Sequence, residues 1–335
     1  MITLPADYEK NLLSSHLPSL RYDGRSDFAA WQEAARAKLR ELLGIDRMGV
    51  CPPAITEREE RAFEGFDEIK FKVETEPGFF SCCRLRIPAH AAGAKLPLAI
   101  CLQGHTTGEH ISVGIPIYPG DEADLGGDRD IANQALAHGF CALTVEQRGM
   151  GQLGGTPKGP ACHVPAMSAL LMGRTILGER VWDIMRDLDA VLENFDAVDP
   201  DRILCMGGSG GGTATCYASC LDTRIRYSVP VCAVCTFKAS IAAMKHCVCN
   251  FVPRIAEYFD MGDLCGLIAP RTLIVVHGME DPIFPKEGVF ESYEIIRSLY
   301  AASGAPDACA LISGPGGHRQ YAAPTWEKIL SEMAK

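Results

Sequence analysis

The sequence lacks any apolar run approaching the about eighteen residues that a transmembrane helix requires. Its N-terminus also lacks the basic stretch followed by an apolar stretch that is typical of a secretory signal peptide. Basic residues are in the minority, 32 against 42 acidic ones, and the net charge of −10 leaves little to neutralise a run of phosphates. We therefore predict a cytoplasmic protein that binds neither membranes nor nucleic acids.

Disulfides are not expected among the fifteen cysteines, because a chain without a secretion signal is expected to meet reducing conditions. Most of these cysteines are predicted to be buried, small apolar residues. One group could supply zinc ligands, namely Cys232, Cys235, His246, Cys247 and Cys249. However, the first two lie in an apolar, strand-like run, and the other three lack the repeated pair spacing of structural zinc sites. We therefore expect no metal and no cofactor.

Composition is otherwise that of a globular protein, with 335 residues of which 47% are apolar and 22% charged. Between Asp27 and Gly44 apolar residues recur at helical spacing, and Gly44 is a typical helix end. We predict a helical N-terminal extension over residues 1–60 and one α/β domain over residues 61–335. The apolar face of the helix would pack on this domain or on a second copy of the chain, and the latter implies a homo-oligomer.

Alternating apolar and polar residues at 68–75 and 79–87 predict an antiparallel pair of strands. After this pair, short apolar runs alternate with helical segments, which predicts a doubly wound, mostly parallel sheet with helices on both faces. The predicted strands are 96–103, 139–147, 202–208, 227–234, 271–278 and 308–314. Ligands bind beyond the carboxyl ends of the strands in such a sheet, so functional residues are expected there.

Ser209 follows one of these strands in a G-x-S-x-G pattern and precedes a helical segment. This context predicts a nucleophile on a sharp turn, where the helix N-terminus favours developing negative charge. A phosphate-binding loop would need a following Lys-Ser/Thr pair or a G-x-G-x-x-G spacing, and neither is present. A purely structural turn is the other alternative, and the strand-turn-helix context argues against it.

A serine nucleophile needs a base and an acid that orients the base, in the order serine, acid, histidine for this kind of fold. Asp281 follows the strand at 271–278, and His318 follows the strand at 308–314. Glu280 is an alternative acid. His277 is an alternative base, but it lies inside a predicted strand and precedes the acid, so we interpret it as a packed core residue.

Two backbone N–H groups are needed to stabilise an oxyanion. Gly210, directly after the nucleophile, is predicted to supply one of them. The loop that follows the strand at 96–103 is predicted to supply the other, from His105, with an ordinary glycine-rich turn as the alternative.

On these motifs the chain resembles the α/β-hydrolase superfamily over residues 65–335. Four segments resemble the acetyl xylan esterase-like and dienelactone hydrolase-like group: Glu146–Gly151, Gly178–Asp183, His246–Asn250 and Asp281–Pro285. The resemblance implies serine esterase chemistry on acetylated carbohydrates or similar small esters, with no metal. Dienelactone hydrolases have a cysteine nucleophile where this chain has Ser209, so dienelactone itself is not the expected substrate.

His163, His246 and Asn250 lie on long connections that would wall the pocket, where substrate contact and ordinary loop packing are both open. Arg148 is interpreted as an anchor for loops. The same three expected catalytic residues would also serve a peptidase, thioesterase or acyltransferase. A non-catalytic binding protein of this fold is a further alternative, which the intact serine, acid and histidine order argues against.

Overall fold

The computed structural model describes residues 4–89, 93–154 and 159–335. The strands of the described residues are β1 (Ile55–Phe63), β2 (Phe66–Glu76), β3 (Phe79–Pro88), β4 (Leu96–Leu102), β5 (Cys141–Val145), β6 (Val198–Gly208), β7 (Ile225–Val231), β8 (Thr272–Gly278) and β9 (Cys309–Gly314). The helices are α1 (Pro5–Ser15), α2 (Phe28–Leu43), α3 (Asp121–Leu125), α4 (Ile131–Ala137), α5 (His163–Leu171), α6 (Ile176–Asn194), α7 (Gly210–Leu221), α8 (Ile255–Tyr258), α9 (Met261–Cys265), α10 (Lys286–Ala302) and α11 (Ala322–Met333).

All of these strands form one sheet in the order β1-β2-β3-β5-β4-β6-β7-β8-β9. The first three are antiparallel to their neighbours, and β5, β4 and β6 to β9 run parallel to one another. The predicted antiparallel pair and the predicted mostly parallel sheet are therefore confirmed. The parallel strands read as continuous apolar runs because both of their faces are covered.

Successive residues of a strand face opposite sides of the sheet, and β6 illustrates how both sides are filled. Ile203 and Cys205 belong to a large core with α2, α6, α7 and α10, whereas Leu204 and Met206 belong to a second core with α4 and α11. Helices thus cover both faces of the sheet. This arrangement leaves the carboxyl ends of the parallel strands for the loops that carry the candidate site.

The N-terminal region begins with helices, as its pattern predicts. The Asp27 carboxylate accepts the Ala30 N–H at the start of α2, and Gly44 ends the helix with φ +74°. Trp31 and Leu39 bury the apolar face of α2 in the larger core, whereas no residue of α1 is buried. The core of the same chain therefore covers α2.

One expectation for this region was wrong, because residues 55–63 form β1 rather than part of a helical segment. Eight of its nine residues are exposed, and Ile55 pairs with Val73 at the edge of the sheet. Its charged sequence has no apolar alternation from which to recognise a strand, and pairing with β2 stabilises it instead. The boundary expected at residues 60 and 61 therefore falls inside β1.

Candidate active site

Ser209 lies between β6 and α7 in a backbone conformation that side-chain-bearing residues rarely adopt, with φ 54° and ψ −119°. Its N–H donates to the carbonyl of Val231 at 2.8 Å, which ties the turn to the neighbouring strand. A Cβ atom on Gly211 would come within 2.2 Å of the Leu102 carbonyl oxygen. Gly211 is therefore required by the close approach of the end of β4.

The expected acid and the expected base are joined directly. Asp281 follows β8 and His318 follows β9. These parallel strands are neighbours, so the two side chains meet at the carboxyl ends of the strands. His318 Nδ1 lies 2.8 Å from Asp281 Oδ2. The other oxygen of Asp281 accepts the backbone N–H groups of Ile283 at 2.8 Å and Phe284 at 3.2 Å.

The surroundings of Asp281 favour its ionised form. Burial alone would raise its pKa, but the hydrogen bond and charge of His318 and the two backbone donors outweigh burial, so the pKa lies below its usual value. The neighbouring Cys232 thiol is buried, and burial raises its pKa to about 12, so it stays protonated at neutral pH. The carboxylate can thus hold a neutral or charged imidazole in one orientation.

The alternative acid and base lie elsewhere. Glu280 is exposed and does not line the cavity that contains Ser209. His277 is buried in β8, its Nε2 lies 2.8 Å from the Ser313 hydroxyl, and burial lowers its pKa. It is a packed core residue, as its position in a strand predicts.

Ser209 and His318 line one cavity of about 360 Å³. Leu102, Ile111, Ile131, Met244 and Ile283 give this cavity apolar walls. Three cationic side chains also line it, namely Arg129, Lys245 and Arg319. Arg129 is paired with Asp124, and Arg319 with Asp128. The space is large enough for a small ester, and the polar groups of the expected nucleophile and base face the same volume.

The loop after β4 reaches the turn at Ser209. A Cβ on Gly104 would lie 3.2 Å from the Ser209 Cβ, and a Cβ on Gly210 would lie 2.6 Å from Cε1 of the His105 ring. The backbone N–H of His105 has no hydrogen-bond acceptor among the described residues. The structure thus places His105 beside Gly210 and Ser209.

Residues directly after β5 hold this loop, a role that the sequence motifs do not indicate. Glu146 Oε1 accepts from Gln103 Nε2 at 2.7 Å, and Gln147 Nε2 donates to the Gln103 carbonyl at 2.6 Å. Glu146 is 1% exposed, and burial together with the negative charge of Glu109 raises its pKa to about 8. The signal in the sequence for this role is a pair of polar residues directly after an apolar strand.

The three residues expected on the pocket wall differ in position. His246 lines the cavity, and its Nδ1 lies 3.0 Å from Asn250 Nδ2, which donates to it. His246 Nε2 is buried and has no hydrogen-bond partner among the described residues. Asn250 is buried behind His246 and does not line the cavity, while His163 is exposed at the first residue of α5 and does not line it either. The expected wall position therefore holds only for His246, because Asn250 packs against the imidazole and α5 begins outside the cavity.

Arg148 is an anchor, as interpreted from the sequence. Its Nε and Nη2 donate to the two Asp183 oxygens at 2.7 and 2.8 Å, and Nη2 also donates to Glu76 at 2.8 Å. The guanidinium lies 3.7 Å from the centre of the Phe79 ring. It therefore joins β2, α6 and the turn after β5 behind the candidate site.

The zinc ligands considered from the sequence do not form one group, because Cys232 and Cys235 lie apart from Cys247 and Cys249. Cys232 lies near Asp281 and His318, and the Cys235 thiol lies near the Pro285 carbonyl oxygen. A different group forms instead, and its ligand atoms all lie within 4.8 Å of one another: His105, Cys162, Cys247 and Cys249. We name these four residues the His-Cys cluster.

Sequence comparison identifies relatives of the chain. A sequence model of the acetyl xylan esterase (AXE1) family matches residues 126–298, just over half of the chain. The Bacillus subtilis (strain 168) protein named "Putative hydrolase YtaP" is 28% identical over 201 residues, which are 59% of this chain and 66% of that protein. The matched region thus spans slightly less than two thirds of this relative.

Structure comparison identifies the fold. A crystal structure described as a "putative acetyl xylan esterase" from Bacteroides fragilis NCTC 9343 aligns with a TM-score of 0.75 and 19% identity, over 97% of this chain and 85% of that one. A glucuronoyl esterase from Solibacter usitatus aligns with a TM-score of 0.65 and 17% identity, over 94% of this chain and 96% of that one. These likenesses show that the chain has the α/β-hydrolase fold.

Proposed function

The chain belongs to the acetyl xylan esterase (AXE1) family, and from that membership we propose that it is a serine hydrolase that cleaves small esters of carbohydrates through an acyl-enzyme. The observation that carries the proposal is the 2.8 Å hydrogen bond between His318 Nδ1 and Asp281 Oδ2 beside a cavity that Ser209 and His318 share. A histidine oriented by a carboxylate next to a serine on a sharp turn is the arrangement that activates a hydroxyl for attack.

In the proposed reaction, Ser209 Oγ attacks the ester carbonyl while His318 Nε2 takes the hydroxyl proton. The C–O bond to the alcohol then breaks, and His318 gives the proton to the leaving oxygen. Water attacks the resulting acyl-serine with His318 again acting as base, which releases the acid and restores Ser209. Asp281 stays ionised throughout and stabilises the imidazolium.

Negative charge on the carbonyl oxygen would be stabilised by the backbone N–H groups of Gly210 and His105. The N-terminus of α7 adds a favourable dipole at the same position. Glu146 and Gln147 support this role indirectly, because their bonds to Gln103 fix the loop that carries His105.

The proposed substrate is an acetylated sugar, and the family together with the cavity supports this class. A volume of about 360 Å³ lies at the small end of ligand pockets, which fits an acetyl group and part of a sugar ring. His246 lines the cavity, and Asn250 donates to its Nδ1, which leaves the ring proton on Nε2. His246 is therefore proposed as a substrate contact, with Asn250 as the residue that positions it.

The test is hydrolysis of p-nitrophenyl esters from acetate to octanoate and of acetylated xylan, with wild type beside Ser209→Ala. Ser219→Ala is a matched control, because Ser219 is a buried serine on α7 whose hydroxyl has no partner among the described residues. We expect activity on acetate that falls by several orders of magnitude only in Ser209→Ala. A preference for long acyl chains would overturn the substrate class, and activity confined to thioesters or peptides would favour the alternative reactions.

No helix among the described residues is long and apolar enough to cross a membrane. The cytoplasmic location, the absence of nucleic-acid partners and the homo-oligomer stay predictions, which cell fractionation and light scattering of the purified chain test.

A further inference from the structure

The His-Cys cluster joins three segments that are distant in sequence. His105 belongs to the loop after β4, Cys162 directly precedes α5, and Cys247 and Cys249 flank Val248 in a short turn. His105 Nε2 lies 3.0 Å from Cys249 Sγ, which lies 3.2 Å from Cys247 Sγ. The sulfurs are too far apart for a disulfide, whose S–S bond is about 2.05 Å. Two of the four residues, His105 and Cys247, also line the cavity of Ser209.

These distances fit four ligands around one ion. Tetrahedral zinc has Zn–S bonds of about 2.3 Å and Zn–N bonds of about 2.0 Å, which place ligand atoms about 3.5–3.8 Å apart. All pairs in the cluster lie within 4.8 Å. The pairs at 3.0 and 3.2 Å would need to separate by about 0.5 Å to accept an ion of that size.

A buried arginine supplies independent evidence that the cluster is anionic. Arg180 is 2% exposed, and its Nη2 lies 3.2 Å from Cys162 Sγ. Its Nε and Nη2 also donate to the carbonyl oxygen of Arg148, and it forms no ion pair with a carboxylate of the described residues. A fully buried guanidinium without a counter-charge is costly, whereas a thiolate at Cys162 would compensate it.

We propose that His105, Cys162, Cys247 and Cys249 bind one zinc ion in a closed, structural site. Three thiolates, a neutral imidazole and Zn²⁺ leave one negative charge, which the positive charge of Arg180 balances. Thiolate and imidazole ligands select zinc over magnesium and calcium, which take oxygen ligands. Four protein ligands leave no open coordination position, so the ion has a structural role and takes no part in the hydrolytic steps.

The rival interpretation is a group of neutral thiols that pack as small apolar side chains. It explains the burial of Cys162 and Cys249, which are 3% and 2% exposed. It does not explain why an imidazole contacts one sulfur of the cluster and a guanidinium another, while Arg180 has no carboxylate partner among the described residues. Zinc accounts for both contacts at once.

A zinc ion at this site would restrain three segments of the chain. An ion held by these ligands would fix the loop after β4, the start of α5 and the turn at 247–249 relative to one another. The His105 backbone belongs to the first of these segments, and it is the proposed oxyanion donor. Zinc would thus hold the cavity wall without touching the substrate.

The test begins with the metal content of the full chain, purified without chelators from cells grown with added zinc and measured by inductively coupled plasma mass spectrometry. We expect about one zinc per chain in wild type and in Ser209→Ala, since the ion does not depend on hydrolysis. Chain without bound metal, or with stoichiometric copper or iron in place of zinc, would overturn the proposal.

Variants then assign the ligands. Cys162→Ser and Cys249→Ser should each lower the zinc content by about tenfold or more. Cys309→Ser is the control, because Cys309 is a partly buried cysteine on β9 outside the cluster, and it should keep its zinc. Zinc retained by both cluster variants would contradict the assignment.

If the cluster variants do not fold, the absorption spectrum of the cobalt-substituted wild-type chain tests the metal site instead. Cells grown in cobalt-supplemented minimal medium should yield protein with the visible bands of tetrahedral cobalt and the near-ultraviolet band of thiolate coordination. Protein without these bands would overturn the proposal, whatever its esterase activity.

Discussion

His318 and Asp281 are in direct polar contact at the candidate site, with 2.8 Å between Nδ1 and Oδ2. The aspartate is held in turn by two backbone N–H groups, so the orientation of the imidazole is set by the turn after β8. In the proposed mechanism, Asp281 therefore acts only through the imidazole that it orients.

Asp281→Asn should lower kcat for p-nitrophenyl acetate by about three to four orders of magnitude with little change in folding, because an amide fails to hold the reactive tautomer of His318. Steady-state rates and circular dichroism check this outcome. Glu280→Gln, the adjacent exposed acid, is the control and should keep the wild-type rate. Equal losses in the two variants would show that the wrong acid has been assigned.

Gly210→Ala should impair the oxyanion site. The new Cβ would lie 2.6 Å from Cε1 and 2.7 Å from Nδ1 of His105, so the ring and its loop must shift away from Ser209. We expect kcat to fall by about 10²–10³, as when one oxyanion donor is lost. Kinetics on p-nitrophenyl acetate measure this fall. A matched substitution is Gly126→Ala, whose Cβ meets no atom closer than 3.4 Å, and a fall of similar size there would contradict the interpretation.

Glu146 should make stability depend on pH. Its pKa is about 8 in the folded chain against 4.5 for the unfolded group. Between these values the unfolded chain releases a proton that the folded chain keeps, so rising pH favours unfolding by up to about 1.4 kcal/mol per pH unit. Below about pH 4.5 both the folded and the unfolded chain keep the proton, so the free energy of unfolding does not change with pH through this group. Above about pH 8 both states have released it, and the loss of free energy of unfolding is complete.

Glu146→Gln removes this titration, so the free energy of unfolding of wild type should fall relative to the variant as pH rises from 5 to 8. Urea titrations at a series of pH values measure the difference. Parallel pH curves for the two proteins would show that Glu146 is ionised in the folded chain.

Arg148→Met should destabilise the chain, because it leaves the buried carboxylates of Asp183 and Glu76 without their shared partner. Breaking a buried ion pair on one side costs about 3–5 kcal/mol, and urea unfolding measures this loss. Arg297→Met, which removes an exposed pair with Glu294, should leave stability near wild type. A large loss of turnover in folded Arg148→Met without a loss of stability would instead indicate contact with substrate.

Most of the sheet could be predicted because its strands are short apolar runs with helices between them. The strands β4 to β9 each overlap a run identified in the sequence, and α2 ends at the expected Gly44. By contrast, β1 is charged and exposed, and only its pairing with β2 makes it a strand. Local pattern carries no information about that pairing.

The candidate site could likewise be predicted only in part from the sequence. Ser209, Asp281 and His318 each lie within four residues of the end of a parallel strand, so the fold brings all three to the carboxyl ends of the strands. The His-Cys cluster depends on loops that are distant in sequence and meet only in the folded chain. Sequence spacing therefore groups Cys247 and Cys249 with Cys232 and Cys235, and not with His105 and Cys162. Side-chain roles on loops depend on contacts that spacing alone does not encode.

The position of His318 after β9 has a consequence during synthesis on the ribosome. Ser209 emerges first, and His318 follows about a hundred residues later, just after the last strand of the described sheet. At typical translation rates of 5–20 residues per second, this interval lasts roughly 5 to 20 s. Under the proposed mechanism, the nascent chain therefore carries the nucleophile without its base, and esterase activity begins only when β9 pairs with β8.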